Sequence, residues 1–165
     1  MTAHVPTLSN DSVKLRPLLL SDAHALTATC RDPLTQKYTT VPANYTFAMA
    51  EEFIKTEHDN LRWVITVPTS DRFCGQIELR SLATEHNAMN VGYMTAPWAR
   101  GQGLMTSALL LAVDYAFSRS VRRIELQADS QNKASQRVAE KAGFILIDSS
   151  QDTMVYSLLA DEYHS

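Results

Sequence analysis

The segment Arg100-Gly101-Gln102-Gly103-Leu104-Met105-Thr106 constrains this chain more than any other, because it places two glycines in one tripeptide of a sequence that otherwise avoids them. There are five glycines among 165 residues, fewer than half of the usual share of about 7%. The run before the segment, Ala88 to Thr95, is patterned as a strand and is closed by Pro97. The run after it, Leu104 to Phe117, carries Met105, Leu109, Ala112, Val113 and Ala116 at helical spacing. A helix that starts behind glycine has first N–H groups with no helical partner and no side chain over them, at the positive end of its dipole. Such a turn can receive a phosphate or pyrophosphate, and it equally serves as a tight strand-to-helix connection. It is not a Gly-Lys-Ser or Gly-Lys-Thr phosphate loop, and the third glycine of the dinucleotide fingerprint is missing.

Around this turn the patterning predicts one α+β domain over residues 1–165. Val13 to Leu18 reads as an edge strand ended by proline. A helix capped by Ser21 would carry Ala23, Leu26 and Cys30 on one side and stop before Asp32-Pro33. After a polar loop with Pro42, a second helix from about Phe47 to Asn60 presents Met49, Phe53, Ile54 and Glu57. Trp63 to Val67, Phe73 to Leu82 and Ala88 to Thr95 form an antiparallel meander. Beyond the long helix, Arg123 to Asp129 alternates as a strand, and a helix from about Asn132 to Ala142 ends at Gly143. Phe144 to Ile147 and Thr153 to Leu158 complete the sheet. The order is β-α-α-β-β-β-α-β-α-β-β, a mixed, mostly antiparallel sheet of about seven strands flanked by about four helices.

Composition removes several functions. With 15 Lys plus Arg against 18 Asp plus Glu the net charge is −3, and the absence of a basic stripe argues against nucleic acid as a partner. No apolar run approaches the roughly 20 residues that cross a bilayer, and Met1 to Pro6 has no leader character, so no membrane association and a cytoplasmic location are expected. Cys30 and Cys74 lie far apart without ligand spacing, which suits buried, reduced thiols. His24, His58 and His86 have no metal-ligand spacing either, and no metal is expected.

Two blocks together carry a more specific signal. The first joins Val91-Gly92-Tyr93-Met94 and Pro97-Trp98 to the turn; the second is Asn132-Lys133-Ala134-Ser135-Gln136-Arg137-Val138-Ala139-Glu140-Lys141-Ala142-Gly143-Phe144. In these blocks, their separation and the element order, the chain resembles the Gcn5-related N-acetyltransferase superfamily, most closely its ribosomal-protein alanine acetyltransferase branch. The resemblance implies a sheet whose central strands splay apart, acetyl-coenzyme A as cosubstrate, and direct acetyl transfer to a primary amine, either a protein N-terminus such as a ribosomal-protein alanine or a small molecule. Members of this branch often pair, which makes a homodimer compatible with the reading.

By the same resemblance, Arg100, Gly101, Gln102, Gly103, Leu104, Met105 and Thr106 would cradle the pyrophosphate. Val91, Tyr93 and Met94 would lie along the pantetheine arm, with a backbone N–H near Tyr93 or Met94 polarising the thioester carbonyl. Asn132 and Ser135, three apart on one helical face, would meet the coenzyme arm, Ser135 as proton donor to the leaving thiolate. Asn132 also suits a plain helix cap, and Ser135 a small packing residue. Two positions depart from the family pattern. Met105 stands where a small residue is usual, and Asn90 where relatives often have a glutamate base; an amide cannot take that proton. Glu78 and Glu125 are the candidate substitutes, although either reads first as a solvated strand carboxylate and Glu78 could simply pair with nearby Arg80; a water relay or an already neutral amine is a further option. Tyr38 and Tyr45 flank the loop that closes over the acceptor in the family. Loss of the base would instead leave a coenzyme-binding sensor without turnover.

Overall fold

A computed structural model of the chain describes residues 4–163. Its centre is the hairpin of β4 (Ser70–Ser81) and β5 (Ala88–Thr95), with β3 (Leu61–Val67) on the outer side of β4. Trp63, Val64 and Ile65 on β3 and Ile77 and Leu79 on β4 are all essentially inaccessible to solvent, so side chains of both parities are covered. Both faces of these strands must therefore carry helices. Trp63 meets Tyr115 of α4 (Leu104–Ser118) edge-on at 5.5 Å, while the Arg62 guanidinium lies 4.1 Å over the Phe53 ring of α3 (Phe47–Lys55). Adjacent residues of a strand point to opposite faces, so α3 and α4 cover opposite sides. The helix α1 (Ala23–Arg31) packs with α3, and α5 (Lys133–Lys141) with α4 and with β6 (Arg123–Asp129).

The sheet is completed by β1 (Leu8–Ser9) and β2 (Lys14–Arg16) at one edge and by β7 (Ile145–Ser149) and β8 (Thr153–Leu159) at the other. The spatial order is β1-β2-β3-β4-β5-β6-β8-β7, antiparallel throughout except for the parallel pair β5–β6. This is the expected α+β architecture, with one strand and one helix more among the described residues than the patterning predicts. The added strand, β1, is two residues long and pairs Leu8 with Leu15. The added helix is α2 (Pro33–Tyr38). Asp32-Pro33 ends α1 as expected, but it also starts α2: the Asp32 carboxylate accepts from the amides of Leu34 and Thr35, and proline takes the first helical position, where no N–H is needed. Helix α3 ends at Lys55, short of Asn60, because Thr56 turns extended and its hydroxyl bonds the Glu52 carbonyl at 2.6 Å.

One buried ion pair ties β2 to the start of α1. Arg16, only 7% exposed, donates to both Asp22 carboxylate oxygens at 2.8 Å and to Asp71 Oδ1 at 2.8 Å. Its neighbours raise its pKa, the Asp22 hydrogen bond foremost. Removing a buried partner leaves an uncompensated charge, whereas the Asp71 side chain is 70% exposed. Denaturant melts of Asp22→Ala are expected to show a loss of about 3 kcal/mol, and those of Asp71→Ala a loss below about 1 kcal/mol.

Candidate active site

The two parallel strands at the centre pair over only part of their length. The β5–β6 ladder runs from Ala88–Arg123 to Val91–Leu126 and stops, although β5 continues to Thr95 and β6 to Asp129. Each strand stays with its outer neighbour instead. β5 remains in register with β4 up to Gly75–Thr95, and β6 with β8 along its whole length. The sheet therefore opens into a cleft toward the C-terminal ends of β5 and β6.

The parity of the β4–β5 ladder decides which amides face that cleft. Ala96 N–H bonds the Cys74 carbonyl at 2.9 Å and Leu82 N–H the Ala88 carbonyl at 3.0 Å, so the even-numbered residues of β5 are bonded to β4. Met94 N–H therefore points to β4, and Tyr93 N–H points into the cleft beyond the last rung. Side chains divide by the same parity. Tyr93 lies on the α4–α5 face, where its hydroxyl donates to the Ser135 carbonyl and accepts from Ser135 Oγ, both at 3.1 Å. Burial pushes the Tyr93 phenol up to about 12, against the lowering effect of the Ser135 bond, so it is protonated at neutral pH.

One lip of the cleft is the glycine turn. Trp98 Nε1 anchors it to the Phe73 carbonyl at 2.8 Å. Gly101 and Gly103 take φ of 75° and 74°, and a Cβ at either would meet nothing within 4 Å. The conformation, not crowding, calls for glycine there. Gly103 is the N-cap of α4 and offers no side chain to it, so the amides of Leu104, Met105 and Thr106 stay uncovered at the helix start. Met105 is 5% exposed and belongs to the core, so its bulk is turned away from the turn. Gln102 is exposed and reaches the Trp98 carbonyl at 3.4 Å. Arg100 donates to Asp32 Oδ2 at 2.6 Å and Thr35 Oγ1 at 3.4 Å, contacts with no local signature in the sequence. The other lip is the start of α5, where Asn132 caps the helix by accepting from Ser135 N–H at 3.2 Å. Gln136, buried and not anticipated, clamps the same turn through the carbonyls of Asp129 and Ser130, both at 3.0 Å.

The opposite face carries the carboxylates. Glu78 sits across from Gly92, its oxygens accepting from Asn60 at 2.9 Å and Arg62 at 2.6 Å. Asn90 Oδ1 accepts from Arg80 at 2.8 Å, and Glu125, beside Asn90 on β6, is bonded by Arg123 at 3.0 Å. Gln76, beside Met94, has an Oε1 that is buried without a hydrogen-bond partner among the described residues. On this face a cavity of about 540 Å³ opens under α3, with Met49, Phe53, Glu52 and Arg62 among its walls. Tyr38 reaches the Gln131 carbonyl at 3.4 Å, while Tyr45, largely buried, also borders that cavity. No group of three metal-binding side chains occurs among the described residues, and none of their helices is long and apolar enough to cross a membrane.

A sheet parted between parallel strands, with uncovered helix amides on one lip and a hydroxyl pair along its wall, can hold an extended ligand with an anionic end. The chain belongs to the GNAT acetyltransferase family: the acetyltransferase (GNAT) domain matches residues 12–145. It is 25% identical over 174 aligned positions to uncharacterized N-acetyltransferase p20 of Bacillus licheniformis, covering 95% of this chain and 98% of that one. It is 26% identical to spermidine N(1)-acetyltransferase of Escherichia coli over 82% of this chain and 74% of that protein. In fold it is similar to the microcin C7 self-immunity acetyltransferase MccE, crystallised with acetyl-CoA and AMP, at a TM-score of 0.78 and 20% identity over 91% of this chain and 93% of that one.

Neither cysteine is placed for chemistry. Both are free and buried, and burial raises both thiols, Cys30 to about 11. The nucleophilic thiolate is thus scarce near neutrality. Ellman's reagent at about pH 8 is expected to leave the native protein essentially unreacted and to titrate two thiols after denaturation; fast native reaction would contradict this burial.

Proposed function

We propose that this protein transfers the acetyl group of acetyl-coenzyme A directly to a primary amine. The observation that carries this reading is the Tyr93 N–H turned into a cleft whose lip is the glycine turn. The chain's residues fit this cosubstrate: the cleft leaves strand-bonding groups of β5 unpaired, and the turn has open space where side chains would stand. Val91, Tyr93 and Met94 then flank the pantetheine arm, Arg100 to Thr106 surround the pyrophosphate, and Asn132 and Ser135 line the arm from α5. The cosubstrate supplies an activated thioester; the protein supplies groups that orient it and move protons.

Tyr93 N–H is the donor for the carbonyl oxygen as negative charge develops there, a fixed dipole that needs no reorganisation. The amine nitrogen bonds to the acetyl carbon, the carbon–sulfur bond breaks, and the Ser135 hydroxyl, hydrogen-bonded to Tyr93, gives its proton to the sulfur and takes one back from solvent water. The amine comes from the face that carries Glu78 and the buried Gln76 oxygen. Each oxygen of Glu78 accepts one bond and keeps a second lone pair, so the carboxylate can take the amine proton through a water. The acceptor is a small-molecule amine or a protein N-terminus such as a ribosomal-protein alanine; the spermidine-acetylating relative supports the first, the two sequence blocks the second. A cytoplasmic location agrees with two unbridged thiols.

Acetyl-coenzyme A binding by calorimetry, with thiol release measured over a panel of amines, tests the reading. Binding with turnover supports it; binding with no turnover on any amine favours the sensor reading that Asn90 suggests. Gly103→Asp, which puts a negative charge and a strained residue in the turn, is expected to weaken coenzyme binding at least ten-fold. Ser135→Ala is expected to lower kcat about 10²-fold with little change in coenzyme affinity. Glu78→Gln is expected to lower kcat at least ten-fold with little change in coenzyme affinity; an unchanged kcat takes Glu78 out of the chemistry.

A further inference from the structure

The short helix α2, absent from the sequence reading, touches both lips of the cleft. At its start Asp32 and Thr35 hold Arg100 of the glycine turn at 2.6 and 3.4 Å. At its end the Tyr38 hydroxyl reaches the carbonyl of Gln131, in the turn that precedes α5, at 3.4 Å. Because β5 and β6 are parallel, these two turns leave the sheet at the same end, on either side of the parting. From Asp32 to Tyr38 a helix rises about 9 Å at 1.5 Å per residue. Two strand spacings are also about 9.5 Å, the opening left when one strand-like ligand lies between two strands. Helix α2 is therefore of the length needed to span the occupied cleft.

Three donors converge on one oxygen of Asp32. Its Oδ2 accepts from Arg100 and from the amides of Leu34 and Thr35 at once. The Arg100 guanidinium, foremost among these, holds the Asp32 carboxyl below its usual range. One guanidinium nitrogen of the turn's arginine is thus engaged by protein, beside the uncovered backbone amides behind Gly103.

We propose that Asp32 is a positioning residue of the coenzyme site: through Arg100 it fixes the glycine turn against α2, which bridges the two lips of the cleft. The proposal rests on the acetyl-coenzyme A reading above. Its test uses Asp32→Asn, since asparagine caps a helix as well as aspartate does and removes only the charge. Dissociation constants for acetyl-coenzyme A are measured for the unsubstituted protein, Asp32→Asn, Arg100→Gln and the double variant, with a thermal melt of each. Asp32→Asn is expected to weaken binding about three- to ten-fold at an unchanged melting temperature, and to add nothing in the Arg100→Gln background. A merely structural aspartate would lower the melting temperature and act independently of Arg100. Unchanged or tighter binding by Asp32→Asn, or additive effects in the double variant, overturns the proposal. If the unsubstituted protein binds no acetyl-coenzyme A, the coenzyme reading itself fails, and this proposal with it.

Discussion

The site depends on one divided loyalty in the sheet. β5 and β6 share four rungs, and then each follows its other neighbour: β5 keeps its antiparallel ladder with β4, and β6 keeps its own with β8. Neighbouring strands twist relative to one another, so two strands held from outside separate once nothing joins them. What separates is a pair of backbone edges, normally a liability in a sheet. Here the edge has neighbours on both sides, because Tyr93 reaches across to α5 and the end of α2 meets the turn before α5. An unpaired strand edge inside a protected cleft is a ready-made site for an extended, amide-bearing ligand.

In the proposed reaction that opening also separates the two kinds of proton traffic. Alternation along β5 places Tyr93 on the face of α5 and Ser135, and Gly92 and Met94 on the face of Glu78 and the α3 cavity. On this second face the Arg80 guanidinium lies over Gly92, in the place a Cβ would take, and donates to Asn90. An acyl group held in the plane of the sheet would meet an amine from one side and a hydroxyl donor on the other. This geometry needs no covalent enzyme intermediate, and it leaves both cysteines to the core.

Most of this fold was legible because its signals are local. The strand-to-helix turn announced itself through two glycines that both adopt positive φ, and the second block through a cap, Asn132, and a terminating Gly143, also at positive φ. The splayed central strands followed from the family resemblance and are observed at Val91 and Leu126. The parts that were not legible depend on pairs distant in sequence. Asp32-Pro33 carries both a stop and a start, and local pattern gave weight only to the stop. Arg100 meets Asp32 across 68 residues, and Gln136 satisfies carbonyls that become orphaned only once the α5 turn is formed. The bulk of Met105 looked unsuited to a tight turn because a sequence does not say that its side chain faces the core.

The central claim is that Tyr93 N–H is a free donor in the cleft, which acetyl-coenzyme A covers. Residue-resolved amide hydrogen exchange, with and without acetyl-coenzyme A, tests it directly. The account predicts that Tyr93 exchanges much faster than Met94 in the free protein, because Met94 is bonded to β4, and that the coenzyme slows Tyr93 at least ten-fold while leaving Met94 nearly unchanged. A Tyr93 amide that is already protected, or that the bound coenzyme leaves untouched, would contradict it.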